Sequence, residues 1–314
     1  MKLSIHIITF NDRQNIARAL ESALAQEVDF DYEIVVGDDA STDGTRDILV
    51  HFQKRFPERF RLLLRESNFG DMGKQNFVQT LEACRGEYVA MLPGDDYWSS
   101  PLKLKRQVDF LDSHPTYSAC FHNVLFTDDS DPAHSRLYCE DDYKPVLTVE
   151  DLMVRNYIPT CAVMFRNRLF SRMPDWFYRG FPGDWFLHVL NAEHGPIGYI
   201  DEVMGVYRRH AGGTWTAMGP EQQLLHLLQA YELIDNHLQG KYHEVCLRSM
   251  RKVSRELSYV YLRRFHDTAR GGRFRQALPW LKPAVKYYPS LLADPWQYAY
   301  FLKSCLLSMH TQLV

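Results

Sequence analysis

Apolar positions along the first hundred residues switch between two periods. The run 3–9, LSIHIIT, is β-rich. After Phe10-Asn11-Asp12, the residues Ile16, Leu20 and Leu24 recur every four positions, which puts them on one helix face. A second apolar run, 32–36, closes in Gly37-Asp38-Asp39. Ser41-Thr42-Asp43-Gly44 then forms a cap-like cluster before a helix marked by Ile48, Leu49, Phe52 and Phe56. Residues 61–64 are a third strand, and the turn Asn68-Phe69-Gly70 precedes a helix carrying Phe77, Leu81 and Cys84. The fourth strand, 87–92, runs into Pro93-Gly94-Asp95-Asp96. Strand alternating with helix four times predicts a parallel α/β sheet, and right-handed crossovers bring its strand ends to one edge.

Further on, Pro101 opens a helix over 101–111, and 117–121 reads as a strand. The polar stretch 126–147 reads as a surface loop, followed by a short helix at 149–154 and a strand at 159–165. A Pro- and Gly-broken segment, 173–183, leads to Asp184-Trp185 and a short helix through Leu190. The strand-like run 197–207 ends in Arg208-Arg209-His210. From Glu221 the pattern is helical, with Leu224, Leu228, Leu233 and Leu238, then Leu247 to Tyr261, and a break at Gly271-Gly272. The chain therefore divides near residue 218, into an α/β region 1–218 and a helical region 219–314 that could form a hairpin.

Three of the strand ends carry polar chemistry: Thr9 to Asp12, Asp38-Asp39 and Asp95-Asp96. An isolated Asp-rich turn is ordinary; three on one edge of an α/β sheet mark a ligand site. The first strand is not followed by GxGxxG, and no GxxxxGK[ST] occurs, so a nucleotide here lacks a glycine-rich phosphate turn. A divalent ion can bridge carboxylates and a diphosphate instead, and Mg²⁺ is commonly held by one or two carboxylates plus phosphates. Asp95 and Asp96 meet that requirement. Asp184 has two readings, a helix-capping carboxylate or a catalytic one. Lys74 is expected to be solvated, and Trp98, Trp185 and Trp215 to be packing residues.

Composition narrows this picture. The 36 Lys and Arg against 39 Asp and Glu give a net charge of −3, which argues against a dedicated nucleic-acid binder. Ten of the basic residues fall in 251–290 against Glu256 and Asp267, leaving a basic, aromatic-bearing tail that could rest on anionic lipid. The cysteines, 84, 120, 139, 161, 246 and 305, show no metal-ligand spacing, which favours a reducing, cytoplasmic setting. The first residues turn polar too soon for a signal peptide, and no apolar run approaches 18 residues.

The segments SIHIITFN at 4–11, EIVVGDDASTDGT at 33–45, NFG at 68–70, GEYVAMLPGDDYW at 86–98, GDW at 183–185 and YRRH at 207–210 together resemble the family 2 glycosyltransferases of GT-A type. The resemblance implies a mostly parallel central sheet flanked by helices. It also implies inverting transfer of a sugar from a nucleotide diphospho-sugar, a UDP-sugar foremost, to a hydroxyl of a glycan or lipid-linked acceptor. By this likeness Thr9 and Asn11 line the nucleotide pocket, and Asp38, ahead of Asp39, faces the base. Asp95 lies toward the ribose and the metal, Asp96 is the main ligand of Mg²⁺ or Mn²⁺, and Asp184 is the catalytic base. Arg208 and His210 belong to the segment over the diphosphate. One departure is Gly94, where many members have an acid, so metal binding leans on Asp96.

Two rival classes share some of these features. A nucleotide-sugar-binding protein would keep Asp38 and Asp96 and need no base. A sugar nucleotidyltransferase would carry a Gly-rich basic loop after the first strand, which Thr9-Phe10-Asn11-Asp12 is not. Donor sugar, acceptor and oligomeric state are not readable from the residues.

Overall fold

A computed structural model of the protein describes residues 1–131, 133, 135–139, 143–270 and 273–289. It divides into two compact units, Met1–Ala217 and Met218–Val314. The Gly271-Gly272 break, Cys305 and the chain after residue 289 lie outside the described residues.

In the first unit the strands are β1 (Leu3–Thr9), β2 (Tyr32–Asp38), β3 (Phe60–Leu64), β4 (Tyr88–Met91), β5 (Tyr97–Trp98), β6 (Ala119–Asp128), β7 (Arg136–Leu137), β8 (Val146–Leu147), β9 (Met164–Arg166) and β10 (Ile197–Arg209). The helices are α1 (Ile16–Leu24), α2 (Thr45–Arg55), α3 (Lys74–Ala83), α4 (Lys103–Ser113), α5 (Val149–Leu152), α6 (Gly183–Ala192) and α7 (Thr214–Ala217). The strands join in one sheet, ordered β3-β2-β1-β4-β9-β6-β10-β5, with β7 on β6 and β8 on β10. The first four pair in parallel, β9 runs against both of its neighbours, and β10 returns parallel to β6. Because β1 and β2 are buried along almost their whole length, their sequences are continuous apolar runs rather than alternating ones.

The parallel register brings Thr9 beside Asp38. The turn after β4 is tied to β1 through Leu92 N–H to the His6 carbonyl at 3.0 Å and Gly94 N–H to the Ile8 carbonyl at 3.2 Å. Helix α3 seats directly on β2: a Cβ on Gly37 would lie 2.0 Å from Thr80 Oγ1 and 2.5 Å from Asn76 Oδ1. That approach requires glycine. At the opposite edge, buried Glu33 accepts from Ser4 Oγ at 2.7 Å, Arg85 N–H at 2.8 Å and Arg85 Nη2 at 2.7 Å.

Two expected elements differ. The strand placed at 117–121 extends to Asp128, because β10 pairs with it as far as Arg209 opposite Asp128. The polar stretch 126–147 therefore contributes strand residues as well as loop. The strand placed at 159–165 is a 3-10 turn, Thr160–Ala162, followed by the short β9.

The second unit holds α8 (Pro220–His237), α9 (His243–Arg270), α10 (Phe274–Ala277) and α11 (Leu281–Tyr287). Tyr261 of α9 stacks on Trp280 and on Tyr287, with ring centroids 6.3 and 6.1 Å apart, and its hydroxyl donates to Glu221 of α8 at 2.6 Å. Among the described residues no helix is long and apolar enough to cross a membrane.

Candidate functional site

The carboxyl ends of β1, β2, β4 and β10 meet on one edge, and the loop ahead of the reversed strand β9 reaches the same edge. Thr9, at the end of β1, is buried, and its Oγ1 has no hydrogen-bond partner among the described residues. Asn11 stands in the left-handed region, φ 50°. Its N–H donates to Ser41 Oγ at 2.8 Å and its Oδ1 accepts from Thr42 N–H at 2.8 Å, so it fastens the β1 loop to the β2 loop.

Asp38 and Asp39 are both buried and leave β2 in different directions. Asp38 Oδ2 accepts from Ser41 N–H at 3.1 Å and from Arg46 Nε at 2.5 Å, while its Oδ1 has no partner among the described residues. Asp39 turns to the NFG turn, accepting from Phe69 N–H and Asn68 Nδ2, each at 3.1 Å.

Asp96 is 2% exposed. Its Oδ1 accepts from the Arg208 N–H at 2.8 Å, and its Oδ2 is a third buried oxygen without a hydrogen-bond partner among the described residues. Burial and the neighbouring Asp95 carboxylate push the Asp96 carboxyl well above its ordinary range, although the Arg208 N–H and the weakly donating Cys161 thiol beside it act the other way. A buried acid beside a second acid, with one oxygen uncommitted, fits a divalent cation. Asp95 Oδ2 meets His210 Nε2 at 3.0 Å, and that bond raises the His210 imidazole above its ordinary value. No set of three or more His, Cys, Asp or Glu side chains suited to a metal occurs among the described residues. Asp95 and Asp96 are the two carboxylates of this turn, and an ion held there would take its remaining ligands from elsewhere.

Gly94 has a steric reason. A Cβ there would stand 3.1 Å from Asp12 Oδ2, from Thr9 Cβ and from Ile16 Cδ1. Asp12, in the polar run after β1 and with no residue-level signal of a role, borders this turn. Burial, with a smaller push from Asp95, raises its carboxyl to about 6 despite the 2.6 Å bond from Asn15 Nδ2.

Arg208 also donates from Nη2 to Asp129 at 2.8 Å and from Nη1 to Asn15 Oδ1, and Arg209 pairs with Asp128 at 3.4 Å. Asp184 lies in the first turn of α6, after the N-cap Pro182. Its Oδ2 accepts from Thr160 Oγ1 at 2.6 Å, and its Oδ1 accepts from Trp185 N–H at 2.7 Å. Thr160 has no signal in sequence, since only the fold carries it 24 positions along the chain to Asp184.

The expected solvated lysine is a correction. Lys74 is 6% exposed and donates to the Tyr178 carbonyl at 3.1 Å, because α3 begins under the 175–179 turn. Trp98 and Trp185 are core residues whose indoles donate to the Cys161 and Leu152 carbonyls, and Trp215 stacks on Phe181.

Fold and site together define a class: an α/β protein with an acidic turn after its fourth strand and a separate carboxylate on a later helix, facing one sheet edge. The sequence profile of glycosyl transferase family 2 matches residues 4–174, and the chain belongs to that family. It is 40% identical over 213 residues to an uncharacterized protein of Mycobacterium tuberculosis, covering 68% of this chain and 60% of that one, so it spans less than two thirds of that relative's length. It is 32% identical over 117 residues to the UDP-Glc:alpha-D-GlcNAc-diphosphoundecaprenol beta-1,3-glucosyltransferase WfaP of Escherichia coli, covering 37% of this chain and 43% of that one. Among solved structures, the mannosyltransferase PcManGT from Pyrobaculum calidifontis, in complex with GDP-Man and Mn²⁺, superposes with a TM-score of 0.60 at 17% identity, over 98% of this chain and 80% of that one. The fold is of the GT-A type.

Proposed function

We propose that the protein is an inverting glycosyltransferase that moves a sugar from a nucleotide diphospho-sugar, UDP-linked by preference, to a hydroxyl of a glycan or lipid-linked acceptor in cell-surface polysaccharide synthesis. The observation that carries this reading is the set of three buried oxygens without hydrogen-bond partners, Thr9 Oγ1, Asp38 Oδ1 and Asp96 Oδ2, at the ends of β1, at the end of β2 and in the turn after β4. Buried polar atoms are almost always satisfied, so three along one edge favour a polar ligand. Family membership and the donors named for WfaP and PcManGT support a nucleotide sugar.

In this reading Thr9 and Asp38 line the nucleotide pocket and Asn11 fixes its shape. Asp96, with Asp95, would hold Mg²⁺ or Mn²⁺, which when bound supplies charge stabilisation for the departing diphosphate. Arg208 and His210 border the diphosphate. Asp184 takes the proton of the acceptor hydroxyl as that oxygen attacks the sugar carbon. Thr160 Oγ1 and the Trp185 N–H hold the carboxylate at both oxygens.

A donor screen tests this: nucleotide release from UDP- and GDP-sugars with Mn²⁺ and a lipid-linked or glycan acceptor, with mass analysis of product. Sugar-dependent nucleotide release that requires Asp184 supports the reading. Donor binding without turnover would favour a binding protein instead, and nucleotide-sugar formation from a sugar phosphate would favour a nucleotidyltransferase.

Peripheral contact with an anionic membrane belongs to the same proposal. Exposed Arg251, Lys252, Arg255 and Arg263 along α9 support it, whereas Trp280 and Tyr287, stacked on Tyr261, are committed to the helical unit. Equal sedimentation with anionic and neutral liposomes would remove it.

A further inference from the structure

A cavity of about 280 Å³ opens where β9 leaves the sheet, between the last turns of α3 and the segment 165–173. Arg166 of β9 pairs with Tyr88, the first residue of β4, so this is the edge where the parallel strands begin, opposite the candidate site. The cavity has an apolar floor: Val78, Phe165 and Met173 are buried, and Leu81 and Phe170 half-buried. Phe170 is held against His194, with ring centroids 6.4 Å apart. Arg168 and Arg172 line the same cavity and are exposed. Neither guanidinium makes a hydrogen bond or ion pair among the described residues, and neither does the carboxylate of Glu82, the acid among the lining residues.

The acceptors at this end of α3 are already taken. Cys84 N–H and Arg61 Nη1 hold the Leu81 and Ala83 carbonyls at 3.0 and 2.7 Å, and Asn167 Nδ2 holds those of Cys84 and Gly86 at 3.2 and 2.8 Å. Arg166 is turned to the Tyr117 and Leu111 carbonyls, at 2.7 Å each. Asn167 is fastened on its backbone as well, its N–H donating to the Glu87 carbonyl at 2.8 Å. The next residue, Arg168, stands at φ 61°, in the left-handed region that residues with a side chain seldom occupy. Backbone strain of this kind persists where neighbouring bonds enforce it, and it concentrates at ligand clamps.

We propose that this cavity binds an anionic amphiphile, a phosphate ester of an apolar chain, with its head on Arg168 and Arg172 and its chain along Val78, Leu81 and Met173. Guanidinium forks match phosphate oxygens in pairs, and the floor removes a chain from water. An inorganic anion would leave that floor uncovered, and a neutral lipid would leave both cations without a partner. The combination therefore selects a ligand with both parts. Glu82, in the same lining, disfavours a second anionic group on the head. The inference goes beyond the glycosyl-transfer reading, and either can fail without the other.

Titration calorimetry of the full chain with octyl phosphate, inorganic phosphate and octanol tests this. Octyl phosphate should bind at least about tenfold more tightly than inorganic phosphate, through burial of its chain, and octanol should give no measurable binding. Arg168→Asn, which tolerates the left-handed backbone, and Arg172→Gln should each weaken octyl phosphate about tenfold. Leu81→Gln should weaken octyl phosphate and leave inorganic phosphate unchanged. Melting temperatures without ligand check that each variant folds; if Leu81→Gln does not, the arginine variants decide. Equal affinity for octyl and inorganic phosphate, or octyl phosphate binding that both arginine variants retain, overturns the proposal. Sedimentation with phosphatidylcholine vesicles, with and without phosphatidic acid, separates the two sources of such a ligand. Weaker sedimentation of the Arg168→Asn/Arg172→Gln double variant on phosphatidic acid assigns the head to a membrane lipid. Equal sedimentation, with octyl phosphate binding lost, assigns it to a soluble phosphate ester.

Discussion

The backbone N–H of Arg208 donates to Asp96 Oδ1 at 2.8 Å, tying the end of β10 to the acidic turn after β4. The bond leaves Asp96 with one oxygen fixed and the other, Oδ2, uncommitted. It also explains how residues 112 positions apart in sequence come to share one site.

Asp96→Asn keeps an acceptor for the Arg208 N–H and removes a buried charge from beside Asp95. The metal-free variant is expected to melt higher than wild type, because an unpaired buried carboxylate next to another carries a desolvation penalty. Mn²⁺ should raise the melting temperature of the wild type and leave the variant unchanged. Sugar transfer should fall at least about 100-fold, since Lewis-acid stabilisation is worth several kcal/mol. Equal Mn²⁺ stabilisation of both proteins would count against Asp96 as ligand.

Asp184→Asn should lower transfer by roughly 10²- to 10⁴-fold, the usual worth of a general base, with nucleotide-sugar affinity retained. Thr160→Val is the subtler variant: it releases Oδ2 from its 2.6 Å bond and should reduce kcat about tenfold without moving donor KM. Normal turnover in Asp184→Asn would leave that residue a helix-start carboxylate only.

Gly37→Ala probes the packing of α3 on β2. Overpacking of this kind costs about 1–3 kcal/mol, and the Thr80 hydroxyl is the atom in the way at 2.0 Å. The double variant Gly37→Ala/Thr80→Ala should recover part of the loss in urea midpoint, and not all, because Asn76 Oδ1 remains 2.5 Å from the new methyl. Strict additivity of the two substitutions would mean that the helix shifts bodily.

How far the residues announce this architecture varies along the chain. Strands β1 to β4 are readable because each is a buried apolar run closed by a polar turn, and the acidic ends of β2 and β4 stand out for the same reason. Legibility fades after residue 117. Strand β6 continues into polar residues because β10 supplies pairing partners through Asp128, and a polar stretch with a distant partner has no local periodicity. The same holds for Thr160 and Asp12, whose significance lies in neighbours brought by the fold. Lys74 shows the opposite failure: a lysine at a helix start is ordinarily solvated, and only the 175–179 turn buries it.

The Ser4–Glu33–Arg85 cluster at the opposite sheet edge should make stability depend on acid. Burial alone would push the Glu33 carboxyl up. The Arg85 guanidinium, the Ser4 hydroxyl and the Arg85 N–H outweigh it and hold the carboxyl below its ordinary value of 4.5. A carboxyl depressed in the folded state contributes stability that is fully present above its unfolded pKa and is lost as pH falls through the folded one. Glu33→Gln should therefore be less stable than wild type by a constant margin from pH 7 to about pH 5, where the unfolded carboxyl is ionised. Below about pH 4.5 the margin should narrow, because wild type alone loses a charged interaction there. Urea midpoints of both proteins between pH 3 and pH 7 measure it; a margin that stays constant or widens in acid would show that Glu33 is held by packing and not by its charge.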